Sequence, residues 1–596
     1  MTYAAPLADM RFVLNEIAGL DAIARLPGYE NASPDMVDAV LEEAGKLAAD
    51  ALAPLNAVGD RQGVRLENGV VRTATGFPDM YRQFVDGGWN ALPHDPTHGG
   101  QGMPWLLATA VQELWQSANM GFGLVLLLNQ GAIDAIQHHG SPQQKAVFLP
   151  KMISGEWTGT MNLTEPQAGS DLAQLRTKAA RSGDHYLISG QKIFITYGEH
   201  DMAENIVHLV LARTADAPAG VRGISLFIVP KFLPNADGSP GQRNDLRCFS
   251  VEHKLGIHAS PTCTMAFGEN GGATGWLIGE EGRGLSYMFT MMNNARLAVG
   301  VQGLAISERA YQQAVAFART RVQSKDDVSA NPAPVSIIHH ADVRRMLMTM
   351  RSQIEAMRAL GYYTAAAIDM ALKHPEETVR QPAQARADLL IPIVKAWFTD
   401  LGNEIASLGV QVHGGMGFIE ETGAAQHLRD ARILPIYEGT NGIQARDLVG
   451  RKIARDGGET MQALIAEMRA LESELAAQPG DDLAAIRQQL GAAAEALGQA
   501  TRWLAATVGQ DIGAAMAGSL PYLRLAGTTL GGWLLAKSAL IAQGKLAARD
   551  GDPAFHESKL ITARFYAEVI LPPALALAGP VQAAGRTAFA LAEDRF

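Results

Sequence analysis

The segment ILPIYEGTNGIQ, Ile433 to Gln444, places one carboxylate, Glu438, between an apolar stretch closed by Tyr437 and the residues that start a helix. An exposed glutamate needs no such setting, and a buried one needs a partner or a task. Burial raises a carboxyl pKa, whereas a helix N-terminus lowers it. Asn441 and Gln444 read as a capping-box-like pair at that terminus. A carboxylate poised between these effects, with flexible Gly439 behind it, suits a catalytic base. The structural alternative is a glutamate that caps the next helix or pairs with Arg429 or Arg432, and both readings fit these twelve residues.

Two further stretches could hold a ligand. MNLTEPQAGSD, Met161 to Asp171, gathers hydroxyls, carboxylates and backbone N–H groups able to hold a flat polar heterocycle, or it is a domain linker. QVHGGMGF, Gln411 to Phe418, puts three glycines in a helical region, where each costs about 1 kcal/mol relative to alanine. Close backbone approach to a ligand or another chain is one use for them; a helix break is the other. No GxxxxGK[ST], GxSxG or HExxH occurs. GEEGRG precedes no βαβ unit, and the adjacent His339 and His340 lack metal-ligand spacing.

These residues must be positioned by several domains, because 596 residues exceed what one core supports. The spacing predicts a multidomain α+β protein of four units. Residues 1–156 read as an N-terminal α-helical domain, with Ser33 capping a helix that opens at Pro34 and strand signals scarce. Residues 157–285 read as a β-barrel of short strands, including a hairpin turning at Ser189-Gly190. Residues 286–455 read as a four-helix bundle. Residues 456–596 read as an extra C-terminal helical domain with Leu483, Ile486, Leu490 and Leu497 on one face.

Composition narrows the function classes. The net charge is −11, and residues 451–596 hold 14 Lys/Arg against 15 Asp/Glu, so nothing favours nucleic acid. The two cysteines, Cys248 and Cys263, exclude a disulfide scaffold and point to a reducing cytoplasm. The N-terminus lacks a signal-peptide pattern, and the greasy stretches FGLVLLL and VILPPALALAGPV are too short or proline-broken to span a bilayer, so no membrane insertion is expected.

In order, TEPxAGSD, a KxxIT strand, the Gly-rich exit loop, QxxGGxGF and YEGTNxIQ over roughly residues 35 to 455 resemble the flavin-dependent acyl-CoA dehydrogenases. The helical tail resembles a larger subgroup, with members acting on long-chain acyl-CoA and on methylthiopropionyl-CoA. The resemblance implies FAD as cofactor and an acyl-CoA thioester as substrate. Met161, Leu163, Thr164, Gly169 and Ser170 would contact the flavin ring on one side, and Phe194, Ile195 and Thr196 on the other; Phe194 stands where the family often has Trp. Arg321 would reach the FAD pyrophosphate or adenine across a subunit interface, and Gln411, Gly414 and Gly415 would pack on the partner subunit's FAD. Gly439, Thr440 and Asn441 would meet the FAD diphosphate, with Gly442 departing from the commoner Glu or Gln. Ser170, Asn293, Arg296 and Glu438 would bind substrate, Asn293 replacing an acid seen in some relatives. Glu438 would take the α-proton while the β-hydride goes to flavin N5, with thioester oxygen bonded to the Glu438 N–H and a ribityl hydroxyl. Electrons would pass from the reduced flavin to an electron-transferring flavoprotein. A homodimer is expected, because the tail can occupy the face used for a second dimer contact. The competing expectations are an acyl-CoA oxidase and a DNA-associated flavoprotein on the same scaffold.

Overall fold

The computed structural model of the chain describes residues 3–326, 328 and 333–596, apart from the side chain of Asn293. Residues up to Ser154 form helices with the caps that their sequence asks for. The Ser33 hydroxyl accepts from the Met36 N–H with Pro34 opening the helix Pro34–Leu47, and Ser141 and Gln144 form a reciprocal capping box. A small hairpin, Arg65–Glu67 with Val70–Arg72, interrupts this region.

The texture changes at Trp157. Eight strands follow: β1 (Trp157–Asn162), β2 (Lys178–Ser182), β3 (His185–Thr196), β4 (Asn205–Thr214), β5 (Ser225–Pro230), β6 (Leu246–Val251), β7 (Thr262–Phe267) and β8 (Ala273–Ile278). They form one barrel-like sheet in the order β6-β7-β3-β8-β5-β4-β1, with β2 pairing to β3 and β4. The hairpin expected at Ser189-Gly190 is displaced. The chain turns at Gly183-Asp184, where Ser182 pairs with His185, and β3 runs on without reversing. Gly190 bends this long strand, which pairs with β8 through Tyr186 to Ile188 and with β7 from Gly190 onward. A Cβ at Gly190 would lie 2.6 Å from the Thr177 hydroxyl, so the glycine serves close packing within a strand. The stretch Phe232–Cys248 holds a further hairpin, Phe232–Pro234 with Pro240–Arg243, and then β6.

Three long helices carry the bundle: Gly284–Thr320, Ala341–Lys373 and Glu377–His413. The fourth member is short, Ala424–Ala431, and packs on the first and third. The C-terminal helices include Glu459–Ala476, Asp481–Thr507 and Ser519–Ala548. The last of these lies against Ala341–Lys373 and Glu377–His413.

Two helical stretches, Ser519–Ala548 and Pro553–Ala588, are long and apolar enough to cross a bilayer by length and composition alone. The apolar window of Ser519–Ala548 is 83 % buried against the other helices, as in a core helix, and that of Pro553–Ala588 is 39 % buried.

A buried charge network ties the units together. The Arg358 guanidinium bonds Glu113 at 2.6 Å, Glu308 at 2.7 Å and Asp9, while the Lys559 ammonium bonds Glu355 at 3.0 Å and the same Asp9. Segments from the N-terminus, the first helical domain, the bundle and the tail thereby meet at one point, where any missing partner leaves a buried charge uncompensated.

Gly527 lets Ser519–Ala548 approach Trp397; a Cβ there would lie 2.4 Å from Trp397 Cγ. Gly527→Ala is expected to cost about 1–3 kcal/mol by overpacking. The cost should register as a lowered Tm and faster proteolytic release of the C-terminal helices.

Candidate active site

A cleft of about 1310 Å³ opens between the barrel, the bundle and the tail. Its barrel wall is shaped by one buried ion pair. As the chain leaves β1 it enters Leu163-Thr164-Glu165, and Glu165 is buried. The Glu165 carboxylate accepts from Lys192 Nζ at 2.9 Å, the Thr177 hydroxyl at 2.6 Å and the Arg176 N–H at 2.7 Å. Lys192 Nζ also donates to the Leu163 carbonyl at 3.0 Å, and the Ile193 N–H to that of Thr164 at 2.9 Å. With its acids and carbonyls satisfied from behind, the loop presents Thr164, Gly169 and Ser170 to the cleft beside Met161 and Leu163. Burial alone would raise the Glu165 pKa; the Lys192 charge and these hydrogen bonds outweigh it and hold it at about 2.

The end of β3 supplies Phe194, Ile195 and Thr196. Phe194 is 59 % exposed, a large aromatic left open on the cleft wall. Its φ is +58°, in the left-handed region that non-glycine residues avoid. Of the seven described non-glycine residues with positive φ, three line this cleft: Phe194, Ile257 and Glu438. Strained backbone of this kind persists where the surroundings over-determine it and gathers at functional sites.

The Glu438 turn lines the same cleft from the bundle side. Leu434 is buried, the Asn441 N–H donates to the Pro435 carbonyl at 3.0 Å, and the Tyr437 hydroxyl bonds the Gln302 side chain. Glu438 keeps part of its surface open to the cleft. Burial by the surrounding protein pushes its carboxyl above the ordinary value, while the charges of Lys395 and Arg296 pull it back. Arg296 comes from Gly284–Thr320 and bonds Asp447 at 3.2 Å. Arg429 is committed elsewhere, to Asp60 and Glu420, so the pairing of Glu438 with it is not made.

The expected cap is corrected. The Thr440 hydroxyl caps the helix Asn441–Asp447 by accepting from the Ile443 N–H, and the Gln444 amide donates to the carbonyls of Glu438 and Gly439. Asn441 is buried and does not line the cleft. Its amide donates to the Ala396 carbonyl, Thr399 and Asp400, and its oxygen accepts from Lys395 at 2.9 Å. A cofactor-contacting side chain there is therefore replaced by a structural one, because the short helix needs an anchor on Glu377–His413.

The cleft brings together Met161, Leu163, Thr164, Gly169, Ser170, Phe194, Ile195, Thr196, Arg296, Glu438, Gly439 and Thr440. Arg321, Gln411, Gly414 and Gly415 lie apart from them, around a second hollow of about 410 Å³ with Phe317 and His413. The Asn293 side chain lies outside the described residues. Several cleft residues go unread in sequence: Leu128, Phe289, Met292, and Ile512 and Met516 from the tail. No local signal marks them, since apolar helical residues look alike. Lys395 does carry a signal, a lone cation inside the apolar run LLIPIVKAWF.

Four family descriptions match the chain in order: acyl-CoA dehydrogenase N-terminal domain over 37–156, middle domain over 160–269, C-terminal domain over 282–454, and "Acetyl-CoA dehydrogenase C-terminal like" over 459–592. The 3-methylmercaptopropionyl-CoA dehydrogenase of Ruegeria pomeroyi is 52 % identical over 573 residues, 96 % of each chain. A chain in a solved structure described as the electron transferring flavoprotein of Acidaminococcus fermentans is 27 % identical, with a TM-score of 0.57 over 70 % of this chain and 98 % of that one. ACDH-11 of Caenorhabditis elegans shares the fold at 18 % identity, with a TM-score of 0.75 over 95 % of this chain and 91 % of that one.

A carboxyl held below its unfolded value stabilises the fold above about pH 4.5 and loses that contribution as the pH falls toward 2. Amide exchange across 163–177 should accelerate through that window. Lys192→Met, which strands the buried carboxylate, should destabilise the protein by about 3–5 kcal/mol at neutral pH, measured by denaturant unfolding.

Proposed function

The chain belongs to the acyl-CoA dehydrogenase family, and from that premise we propose the reaction its cleft performs. It is an FAD-dependent oxidoreductase that converts an acyl-CoA thioester to the trans-2-enoyl thioester, with electrons passing to an electron-transferring flavoprotein. The observation that carries the residue assignment is Glu438, a carboxylate with raised pKa on the same cleft as Thr164, Ser170, Phe194 and Thr196.

The residues fit an FAD ring. The cleft volume exceeds what one small ligand fills, and its barrel wall mixes an open aromatic and apolar surface with four hydroxyls. An added Cβ at Gly169 would meet nothing within 4 Å, which leaves that backbone open to a flat ligand. Met161, Leu163, Thr164, Gly169, Ser170, Phe194, Ile195 and Thr196 would hold the ring, with Gly439 and Thr440 toward the diphosphate. Bound FAD supplies the acceptor for the hydride that leaves the β-carbon.

Glu438 removes the α-proton and retains it on its carboxyl. Its raised pKa makes it a stronger base than an exposed glutamate, while Lys395 and Arg296 keep the carboxylate form accessible. Among the described residues no protein group accepts from the Glu438 N–H, which leaves that donor for the thioester oxygen as enolate-like charge develops. Ser170 and Arg296 contact or orient the substrate, and Asn293 shares that assignment by sequence.

The acyl group we infer is short and carries sulfur, supported by the 52 % identity to the Ruegeria enzyme along nearly the whole chain. Four units, 1–156, 157–285, 286–455 and 456–596, are part of this reading. So is a homodimer, supported by the exposed Met416 and Phe418 beside the second hollow, where Arg321, Gln411, Gly414 and Gly415 would meet the partner's FAD. A cytoplasmic protein without membrane insertion completes it, supported by the free thiols of Cys248 and Cys263 and the burial of Ser519–Ala548.

Anaerobic addition of 3-methylmercaptopropionyl-CoA to the purified flavoprotein should bleach its visible absorbance, and longer acyl-CoAs should do so more slowly. Failure of every acyl-CoA in a graded panel to bleach it would refute the reaction. Glu438→Gln should retain FAD and lose roughly 10²–10⁴-fold in the bleaching rate.

A further inference from the structure

Lys395 is fully buried in the middle of Glu377–His413, and both of its hydrogen-bond acceptors are neutral. Its Nζ donates to the Leu434 carbonyl at 2.9 Å and to Asn441 Oδ1 at 2.9 Å. These two acceptors bracket Glu438, four residues before it and three after. One ammonium therefore fastens both feet of the turn that carries the base. The turn needs fastening, because Glu438 at φ +54° and Gly439 at φ +88° are two successive left-handed residues. Asn441 completes the clamp by donating to Ala396, Thr399 and Asp400, the residues that follow Lys395 on the same helix.

We propose that Lys395 is a positioning residue for the reaction: it clamps the Glu438 turn onto Glu377–His413 and supplies the buried positive charge against which the Glu438 carboxylate ionises. The proposal deepens the catalytic reading above and rests on it.

The electrostatics agree with the geometry. Burial pulls the Lys395 ammonium down to about 7, against the charges of Glu438 and Asp400, and Lys395 is the foremost charge pulling Glu438 down. The other charged groups around the turn are partly committed to one another. Arg296, from Gly284–Thr320, bonds Asp447, which also meets Arg451 at 3.5 Å. Arg524, from Ser519–Ala548, bonds Glu404, and Asp400 takes the Asn441 amide. Arg446 and Arg432 line the cleft, and Tyr437 bonds Gln302. Lys395 is thus the cation from the bundle interior whose hydrogen bonds reach the segment of the base itself.

The test uses the FAD-loaded enzyme and three variants. Lys395→Met removes the clamp and the charge. Lys395→Gln removes the charge and keeps an N–H donor, on a side chain one bond shorter. Glu438→Gln is the reference for loss of the base. Both Lys395 variants should retain the flavin spectrum. In both, the acid limb of the pH profile for flavin reduction should move up by roughly one unit or more, because the carboxylate has lost the positive charge that acts on it most strongly. Lys395→Met should in addition lower the limiting reduction rate by about tenfold or more with a smaller change in KM, and speed amide exchange over 434–441. Lys395→Gln should keep most of that protection. Wild-type limb position in Lys395→Gln, or wild-type exchange in a folded Lys395→Met, would overturn the assignment. Should Lys395→Met not fold, the Lys395→Gln pH profile decides alone. Amide exchange needs no substrate, so a wild-type enzyme inert toward every acyl-CoA would sink the catalytic reading while the clamp is still judged by exchange.

Discussion

A carboxylate taken out of water must be balanced, and the way Glu438 is balanced constrains the rest of this molecule. Too little positive charge nearby would leave it protonated and useless as a base; a tight ion pair would hold its pKa low and weaken it. The structure takes a middle course. Lys395 and Arg296 act on Glu438 through space, yet each has its own hydrogen-bond partners: neutral oxygens for Lys395 and Asp447 for Arg296. The carboxylate is influenced by two cations without being captured by either.

Holding those cations in place requires long, rigid elements. Lys395 sits at the middle of Glu377–His413 and Arg296 within the interior of Gly284–Thr320, two 37-residue helices that make the most extensive helix pair in the bundle. The tail reinforces one of them directly, since Gly527 and Gly531 allow Ser519–Ala548 to close on Trp397, two residues from Lys395. The same tail lends Ile512 and Met516 to the cleft. The C-terminal domain is therefore part of the site's architecture, both as backing for the bundle and as a wall.

The barrel contributes a different kind of order. Its cleft-facing loop is not braced by regular secondary structure but by one buried carboxylate, Glu165, satisfied by Lys192, Thr177 and Arg176. Such a network is high-stakes, because partial satisfaction would be worse than an apolar plug. Fully satisfied, it frees Thr164 and Ser170 to face the cleft. Strain is left at Phe194, Ile257 and Glu438, the non-glycine residues of the cleft with positive φ, and the surrounding packing holds them there.

The sequence by itself determined the order of helical, β-rich and helical segments, because apolar periodicity and local caps such as Ser33 and Ser141 are properties of neighbouring residues. It also singled out Glu438, Thr164 and Ser170, since each sits in a short stretch of unusual composition, while Phe194 entered only through the family resemblance. It misplaced the hairpin, where Gly190 resembles a turn but is a bend demanded by Thr177 packing from another segment. It misassigned Asn441 and missed Lys395, Ile512 and Met516, whose roles exist only once distant segments meet. Periodicity reports which face of an element is apolar and not what that face touches. The tertiary structure alone decided which buried cation stands behind the carboxylate, because that pairing joins residues 395 and 438 through a helix, a turn and a cleft that no local rule encodes.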